Sequence, residues 1–301
     1  MISSLNASAQ NFLAGLDEIQ QRLQTAQAQL TTGLKINNVS DAPSEIAGLW
    51  QLRSENDQVQ QIDTNLGQVA TEVNTGQTAL QSAVTLVEQA LTYGAQGASG
   101  TSSATTRTDL ANEMGAILQQ LVSTANTTVQ GRYIFSGDSD QTAPYAIDLT
   151  QTSPISLYQG SASSRQIQGA DGTTFPVALT AQQIFDSSNA QTNVFTSITT
   201  LMQGLQNNDA TAINAAMSDV QGADTYLNQQ LAFYGTVQAR VAGALTFGQN
   251  YSTQLQTQLS GLQDADEAAA ITNMTQAQTQ LQAALQSRAQ LPKTTLFDFL
   301  A

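Results

Sequence analysis

The chain has 301 residues, enough for a sizeable core and more than one domain, and its 23 acidic and nine basic residues leave a net charge of −14. Such a chain lacks the cationic footprint that nucleic acid or an anionic membrane surface needs in a partner. It contains neither cysteine nor histidine, which excludes disulfides, thiolate nucleophiles and imidazole metal sites and leaves acid–base chemistry to carboxylates, tyrosines and two lysines.

The first predicted helix carries apolar residues at Leu5, Ala9, Phe12, Leu16, Ile19, Leu23, Ala26 and Leu30. Steps of four and three alternate without a slip, the 3.5-residue period of a coiled-coil seam, so this helix needs a partner helix. Its start has no basic region followed by an apolar run, and no cleavable signal peptide is expected. After Leu34, the stretch Asn37-Asn38-Val39-Ser40-Asp41-Ala42-Pro43 reads as a break, with Ser40 or Asp41 capping the next helix.

That second helix is predicted from about Ser44 to Tyr93. Its seam runs Val59, Ile62, Leu66, Val69, Val73, Gly76, Leu80, Ala83, Val87 and Ala90. Some fifty residues reach ~75 Å, too long for one globular core to cover, so the expected architecture is a helical rod. Trp50, the only tryptophan, reads as a packing residue, and Tyr93 to Gly100 reads as a glycine-rich linker. A third helix presents Leu110, Met114, Ile117, Leu118, Leu121 and Ala125.

The texture changes at Gly131. Short strands are predicted over 132–137, 145–149, 155–158, 165–168 and 173–179, the last two joined by a turn at Gly169-Ala170-Asp171-Gly172. Tyr133 and Phe135 read as a strand's core face. Asp138, Asp140, Asp148, Asp171 and Asp186 stand mostly beside turn residues. They lack the glycine and closing glutamate of a calcium loop, and nothing in their spacing marks a glycosidase pair. No catalytic, cofactor-binding or metal-ligating residue is expected, and a chain without histidine or cysteine is not expected to be an enzyme.

Helical texture returns with Phe195, Ile198, Leu201, Met202 and Leu205. Asn207-Asn208-Asp209 then precedes a long helix with a seam at Ile213, Met217, Val220, Asp224, Leu227, Leu231 and Tyr234 that continues to Leu262. The phase slips near Asp264, where Asp264 and Glu267 fit a capping box. Beyond it Ile271, Met274, Leu281 and Leu285 form a new stripe, and the apolar tail Leu296-Phe297-Asp298-Phe299-Leu300 follows Pro292. The N-terminal seam therefore finds its partner at the other end of the chain. The fold class is mainly α: a long antiparallel, coiled-coil-like rod of N- and C-terminal arms with a small β-rich central insert.

Two motifs carry a family resemblance. Thr32-Gly33-Leu34-Lys35-Ile36-Asn37 with Ser40-Asp41-Ala42-Pro43 resembles the N-terminal signature of flagellins and hook-associated proteins. Asp264-Ala265-Asp266 with Met274-Thr275-Gln276-Ala277-Gln278 resembles the C-terminal one. Ala42 stands where a second aspartate is common. Gly131-Arg132-Tyr133-Ile134-Phe135-Ser136-Gly137 and the ending Leu296 to Leu300 are closer to the branch at the junction of hook and filament than to flagellins, the alternative reading.

The resemblance implies a component of the bacterial flagellum, exported uncleaved to the extracellular structure. Its implied partners are copies of itself in a ring, hook-associated protein type 1, flagellin and a cytoplasmic export chaperone. On this reading 1–42 with 262–301 are terminal assembly arms forming an inner tube, 43–136 with 194–261 a helical rod domain, and 137–193 an outward-facing insert. The expected assembly interface is Leu5, Phe12, Leu16, Ile19, Leu23, Leu30, Ile271, Met274, Leu281 and Leu285. Leu296, Phe297, Phe299 and Leu300 form a docking tail for a chaperone or neighbour. Gly33, Ile36, Asn37, Asp41, Pro43, Asp264 and Asp266 are the motif residues.

Overall fold

The computed structural model describes residues 2–289, the side chains of residues 2–6 and 8 excepted. The tail residues Leu296, Phe297, Phe299 and Leu300 and the side chain of Leu5 lie outside the described residues. The chain is mainly α. Its helices are α1 (Ile2–Thr32), α2 (Ile46–Ala98), α3 (Ala104–Ala125), α4 (Ala181–Phe185), α5 (Val194–Gln206), α6 (Ala210–Gln263) and α7 (Glu267–Ala289). Four short strands make two antiparallel pairs, β1 (Thr128–Val129) with β2 (Arg132–Tyr133) and β3 (Gln166–Gln168) with β4 (Thr174–Pro176). Residues 59–251 form one compact unit and, among the described residues, 2–58 with 252–289 another; α2 and α6 contribute to both.

In the central unit, the seam predicted for α2 is the seam observed. Leu66, Val69, Val73, Leu80, Ala83, Val87 and Ala90 are buried, in one core with Ile213, Val220, Leu227, Tyr234 and Val237 of α6. Within it α2 and α6 run antiparallel: Asp63 meets Gly248, Asn74 accepts from Gln238 at 2.8 Å, Gly76 meets Tyr234 and Gly94 meets Met217. The linker expected over Tyr93 to Gly100 is instead the last turns of α2, which continues to Ala98. The glycines there are packing positions rather than breakers. A Cβ on Gly94 would lie 3.0 Å from Leu201, and one on Gly97 would overlap Leu205. Two small residues let α5 approach closer than any side chain allows, which outweighs their helix propensity cost of ~1 kcal/mol each.

The end of α2 is held by Arg107, a buried cation of α3. Its guanidinium donates to the carbonyls of Gly97 (2.7 Å) and Ser99 (3.2 Å) and to Asn208 Oδ1 (2.5 Å). The negative end of the helix dipole compensates the charge without a carboxylate. All the residues predicted for the inner face of α3 are buried, and α3 packs on α5.

The insert is less regular than its sequence suggests. Arg132–Tyr133 is the only extended part of the 132–137 segment, paired back on Thr128–Val129 across Gln130 (φ 52°) and Gly131 (φ 79°). Both central residues at positive φ make this a tight hairpin turn matched to strand twist. Segments 145–149 and 155–158 form no strands and meet at a single bridging pair, Ile147 with Ile155. Asn126 takes over what a neighbouring strand would do there, with Nδ2 donating to the Tyr145 carbonyl (2.7 Å) and Oδ1 accepting its N–H (3.1 Å). The hairpin at Gly169–Gly172 forms as predicted, its turn fixed by Asp171 accepting from Thr173. Phe135, Tyr145, Phe185, Phe195 and Tyr234 interlock beneath the insert, with ring centroids 5.0–6.4 Å apart.

Two acids break the apolar rule at the α2–α6 seam. Oδ1 of Asp63 and Oδ1 of Asp224 are sealed from water with no hydrogen-bond partner. Asp63 lies flat on the Gly248 backbone, where a Cβ would overlap it, and Asp224 faces Glu88 of α2. Burial pushes both acids above the usual carboxylate range, and Glu88 adds to the shift of Asp224. A raised acid keeps its proton in the folded chain at a pH where the unfolded chain has lost it. The destabilisation is therefore complete at neutral pH and relieved as pH falls through the raised pKa. Asp224→Asn is expected to raise the Tm at neutral pH by a margin that shrinks towards about pH 4. Circular-dichroism melts across that range check it, and a margin independent of pH would count against the ionised Asp224 as the cause.

Candidate assembly surface

Unlike the central unit, the terminal unit is built from the two ends of the chain, and its geometry starts with two helix breaks. Helix α1 stops because Gly33 takes φ 72°, the left-handed conformation of a helix C-terminus, with its N–H donating to the Gln29 carbonyl at 2.8 Å. Helix α6 stops at Gln263, and after three intervening residues α7 begins at Glu267. The cap is Asp266, whose Oδ1 accepts from the Ala269 N–H at 3.0 Å, rather than the Asp264–Glu267 box expected. Asp264 serves the break instead. It accepts from the Ser260 hydroxyl and stands opposite Leu34 in a single bridging pair.

The two breaks clasp each other through their backbones. The Lys35 N–H donates to the Gln263 carbonyl at 2.6 Å and the Ala265 N–H to the Gly33 carbonyl at 2.8 Å. Neither segment has an intrahelical partner for these groups, so each satisfies the other. Asp41 is not the helix cap its position suggested. Its Oδ2 accepts from the N–H groups of Asn37 (2.9 Å) and Asn38 (2.7 Å), folding the loop back on itself, and α2 starts at Ile46. Asn37 Nδ2 donates to the Leu34 carbonyl at 2.8 Å. Under this loop Ile36 packs with Leu49 and Leu259, and Arg53 donates to Gln263 Oε1 at 2.7 Å. The Lys35–Glu45 pair, 3.5 Å apart and exposed, adds little. Thus Gly33, Ile36, Asn37, Asp41, Asp264 and Asp266 fall in one structural device, and Pro43 lies in its exposed turn.

Beyond the clasp α1 and α7 pack together. Phe12, Leu16, Ile19, Leu23 and Leu30 are half-buried, Ala26 is buried, and Arg288 lies over the Phe12 ring at 5.4 Å. The facing stripe of α7 is Ala270, Met274, Ala277 and Leu281, which keeps Met274 and Leu281 of the stripe expected and adds two alanines. Ile271 and Leu285 point away, 50 % and 53 % exposed. Alanines at the contact let the helices approach, which leaves the larger Ile271 and Leu285 for another surface. The pairing is incomplete: a polar gap of about 580 Å³ opens between the helices, lined by Gln21, Arg22, Gln29, Asn273, Gln276 and Gln280 among others.

Trp50, expected to pack, is 62 % exposed, and Val39 in the clasp loop is exposed as well. Ile46, Leu49 and Leu52 take the inward face of this first stretch of α2, and Trp50 is left outside the cluster they form with Ile36 and Leu259. Among the described residues no group of three or more acids could hold a metal ion, and no described helix is long and apolar enough to cross a membrane.

Residues 3–140 match the bacterial flagellin N-terminal helical region, and residues 217–300 match the bacterial flagellin C-terminal helical region. The chain is 28 % identical over 294 residues to flagellar hook-associated protein 3 of Escherichia coli strain K12, covering 89 % of this chain and 90 % of that one. It is 26 % identical over 310 residues to flagellar hook-associated protein 3 of Salmonella typhimurium, covering 95 % of each. In fold it is similar to the flagellar junction protein FlgL from Legionella pneumophila, with TM-score 0.56 and 13 % identity over 72 % of this chain and 98 % of that one.

Proposed function

The chain belongs to the bacterial flagellin family, and we propose that within it this is a hook-associated protein of type 3, joining hook to filament and giving flagellin a platform on which to assemble. The two hook-associated protein 3 relatives, matched over nearly their whole length, support the type, and the observation that carries the assembly role is the state of the terminal unit. Of the eight large hydrophobic residues most exposed in the described chain, Leu13, Val39, Trp50, Ile271 and Leu285 belong to it, while its described buried hydrophobic residues are Ile36, Leu49, Leu255 and Leu259 with the small Ala26, Ala270 and Ala277. A unit with so small a core and so much apolar surface is suited to burial against other chains.

On this reading Phe12, Leu16, Ile19, Leu23, Leu30, Met274 and Leu281 hold the two arms together. Ile271 and Leu285 then meet copies of the same arms in a ring, and the 137–193 insert faces outward. The neighbours are hook-associated protein type 1 on one side and flagellin on the other. Export is uncleaved, with a chaperone holding the C-terminal segment in the cytoplasm and the assembled protein lying in the extracellular flagellum. Its work is mechanical and needs no catalysis.

The test is the phenotype of a strain lacking the chain. Electron microscopy is expected to show complete hooks without filaments, restored by the wild-type chain. Filaments of normal length on the deletion strain would overturn the junction role and favour a filament subunit.

A further inference from the structure

The central unit carries one feature that neither its core nor the terminal arms account for. On the exposed side of α6, Arg240, Gly243, Ala244 and Phe247 face the β3–β4 hairpin across a groove of about 490 Å³. The floor is open: a Cβ on Gly243 would meet nothing within 4 Å. Phe247 is 46 % exposed at one end, and Asp171 stands on the hairpin side, its carboxylate held below the usual range by the hydroxyl and N–H of Thr173. Arg240 is exposed and, among the described residues, makes no ion pair or hydrogen bond. The other seven described cations are engaged: Arg22, Lys35, Arg132 and Arg165 with carboxylates, Arg53 with Gln263, Arg107 with carbonyls and Asn208, and Arg288 with the Phe12 ring. In a chain of net charge −14 a lone guanidinium beside an exposed ring is the natural place for an acidic, apolar segment to dock.

Such a segment exists on the same unit. Residues 133–164 contain three aspartates and no lysine or arginine; Asp140 is paired with Arg132, while Asp138 and Asp148 are in no ion pair among the described residues. The same segment carries Leu157, 84 % exposed, which leads all large hydrophobic residues described. The surroundings of Leu157, shared with Pro154, Phe195 and Thr199, have no residue in common with the Arg240 groove, so knob and groove are separate surfaces. We propose that the Arg240–Phe247 groove receives the Leu157 ribbon of a second copy of this chain. Knob and groove on different patches make a head-to-tail contact, which repeats around a ring and closes if the rotation allows. One leucine buries too little to hold two chains by itself, so the contact acts as a register lock between copies brought together by the arms. It rests on the ring reading given above, and its test does not depend on filament growth.

The cysteine-free sequence makes the experiment clean. Leu157→Cys and Gly243→Cys both fall where a small side chain fits without strain. Purified full-length chains carrying one or the other are mixed at high concentration under mild oxidation, with Gln60→Cys, an exposed α2 position off the groove, as control. The Leu157/Gly243 disulfide is expected to form at least several-fold faster than the Leu157/Gln60 one. Arg240→Glu should abolish that advantage and Arg240→Lys should keep most of it. Equal rates for the two pairs, or an advantage indifferent to Arg240→Glu, would overturn the groove as a docking site. Filament growth restored by the wild-type chain, scored separately, would leave the junction role standing in that case.

Discussion

Tyr234→Ala is expected to destabilise the central unit by about 3–5 kcal/mol, the range for truncating a large buried aromatic side chain. The ring is almost fully buried, stands edge-on to Phe135 with centroids 6.2 Å apart and to Phe233 at 5.8 Å, and accepts the Leu179 N–H on its hydroxyl at 3.3 Å. That hydrogen bond is long, so Tyr234→Phe should cost about 1 kcal/mol or less. The stronger check lies across the seam at Gly76, where an added Cβ would come within 2.7 Å of the Tyr234 ring. Gly76→Ala should therefore be destabilising in the wild-type chain despite alanine's better helix propensity, and close to neutral once Tyr234 is alanine. Urea unfolding of the four chains of the cycle measures that coupling. Additive effects would show that ring and glycine do not constrain each other.

Ile36→Asp is expected to open the terminal clasp while leaving the central unit intact. The change removes a buried aliphatic side chain between Leu49 and Leu259 and places an unpaired carboxylate there, about 4 kcal/mol or more against a cluster of three buried residues. Ile36→Val, which keeps the packing, should cost about 1 kcal/mol. The readout is regional. Limited proteolysis should cut Ile36→Asp within residues 1–58 and 252–289 much faster than wild type, with the 59–251 fragment equally resistant in both. In cells the variant should leave hooks bare. Equal protection of the terminal residues in Ile36→Asp and wild type would remove the clasp from any role in holding the arms.

What was legible in the sequence follows the physics of each signal. The 3.5-residue seams of α2 and α6 are periodic over many turns and the apolar face of α3 over several, and burial there tracks the pattern closely, with Asp224 half-buried on it. The Asp-Gly hairpin at 169–172 is local turn chemistry and forms as read. Errors fell where a residue type has two uses. Glycines at 94 and 97 read as a helix end because a missing side chain signals freedom; here it signals a neighbour, Leu201 or Leu205, that sequence does not display. Asp41 and Asp264 read as helix caps because aspartate caps helices, yet each binds its own loop or the facing break.

The arms were legible as a pair, the seam of α1 in full and the stripe of α7 in half. Alanine carries little weight in a hydrophobic pattern, so Ala270 and Ala277 were not read as joining Met274 and Leu281 on the α1 side, while Ile271 and Leu285 of the expected stripe lie exposed. The assembly motif was visible as two distant signatures. That they hydrogen-bond to one another, Lys35 to Gln263 and Ala265 to Gly33, is not encoded in either alone.

The clasp also sets an order of events along the chain. Leu34 and Asp264 are roughly 230 residues apart, and closing a flexible loop of that length costs on the order of 5 kcal/mol in entropy. Residues 59–251 are contiguous and form one compact unit with its own buried core. Once that unit is folded, most of the intervening chain is fixed and the closure is nearly free of that cost. The clasp is therefore expected to form after the central unit and to open before it, a latch whose strength is borrowed from the segment it brackets.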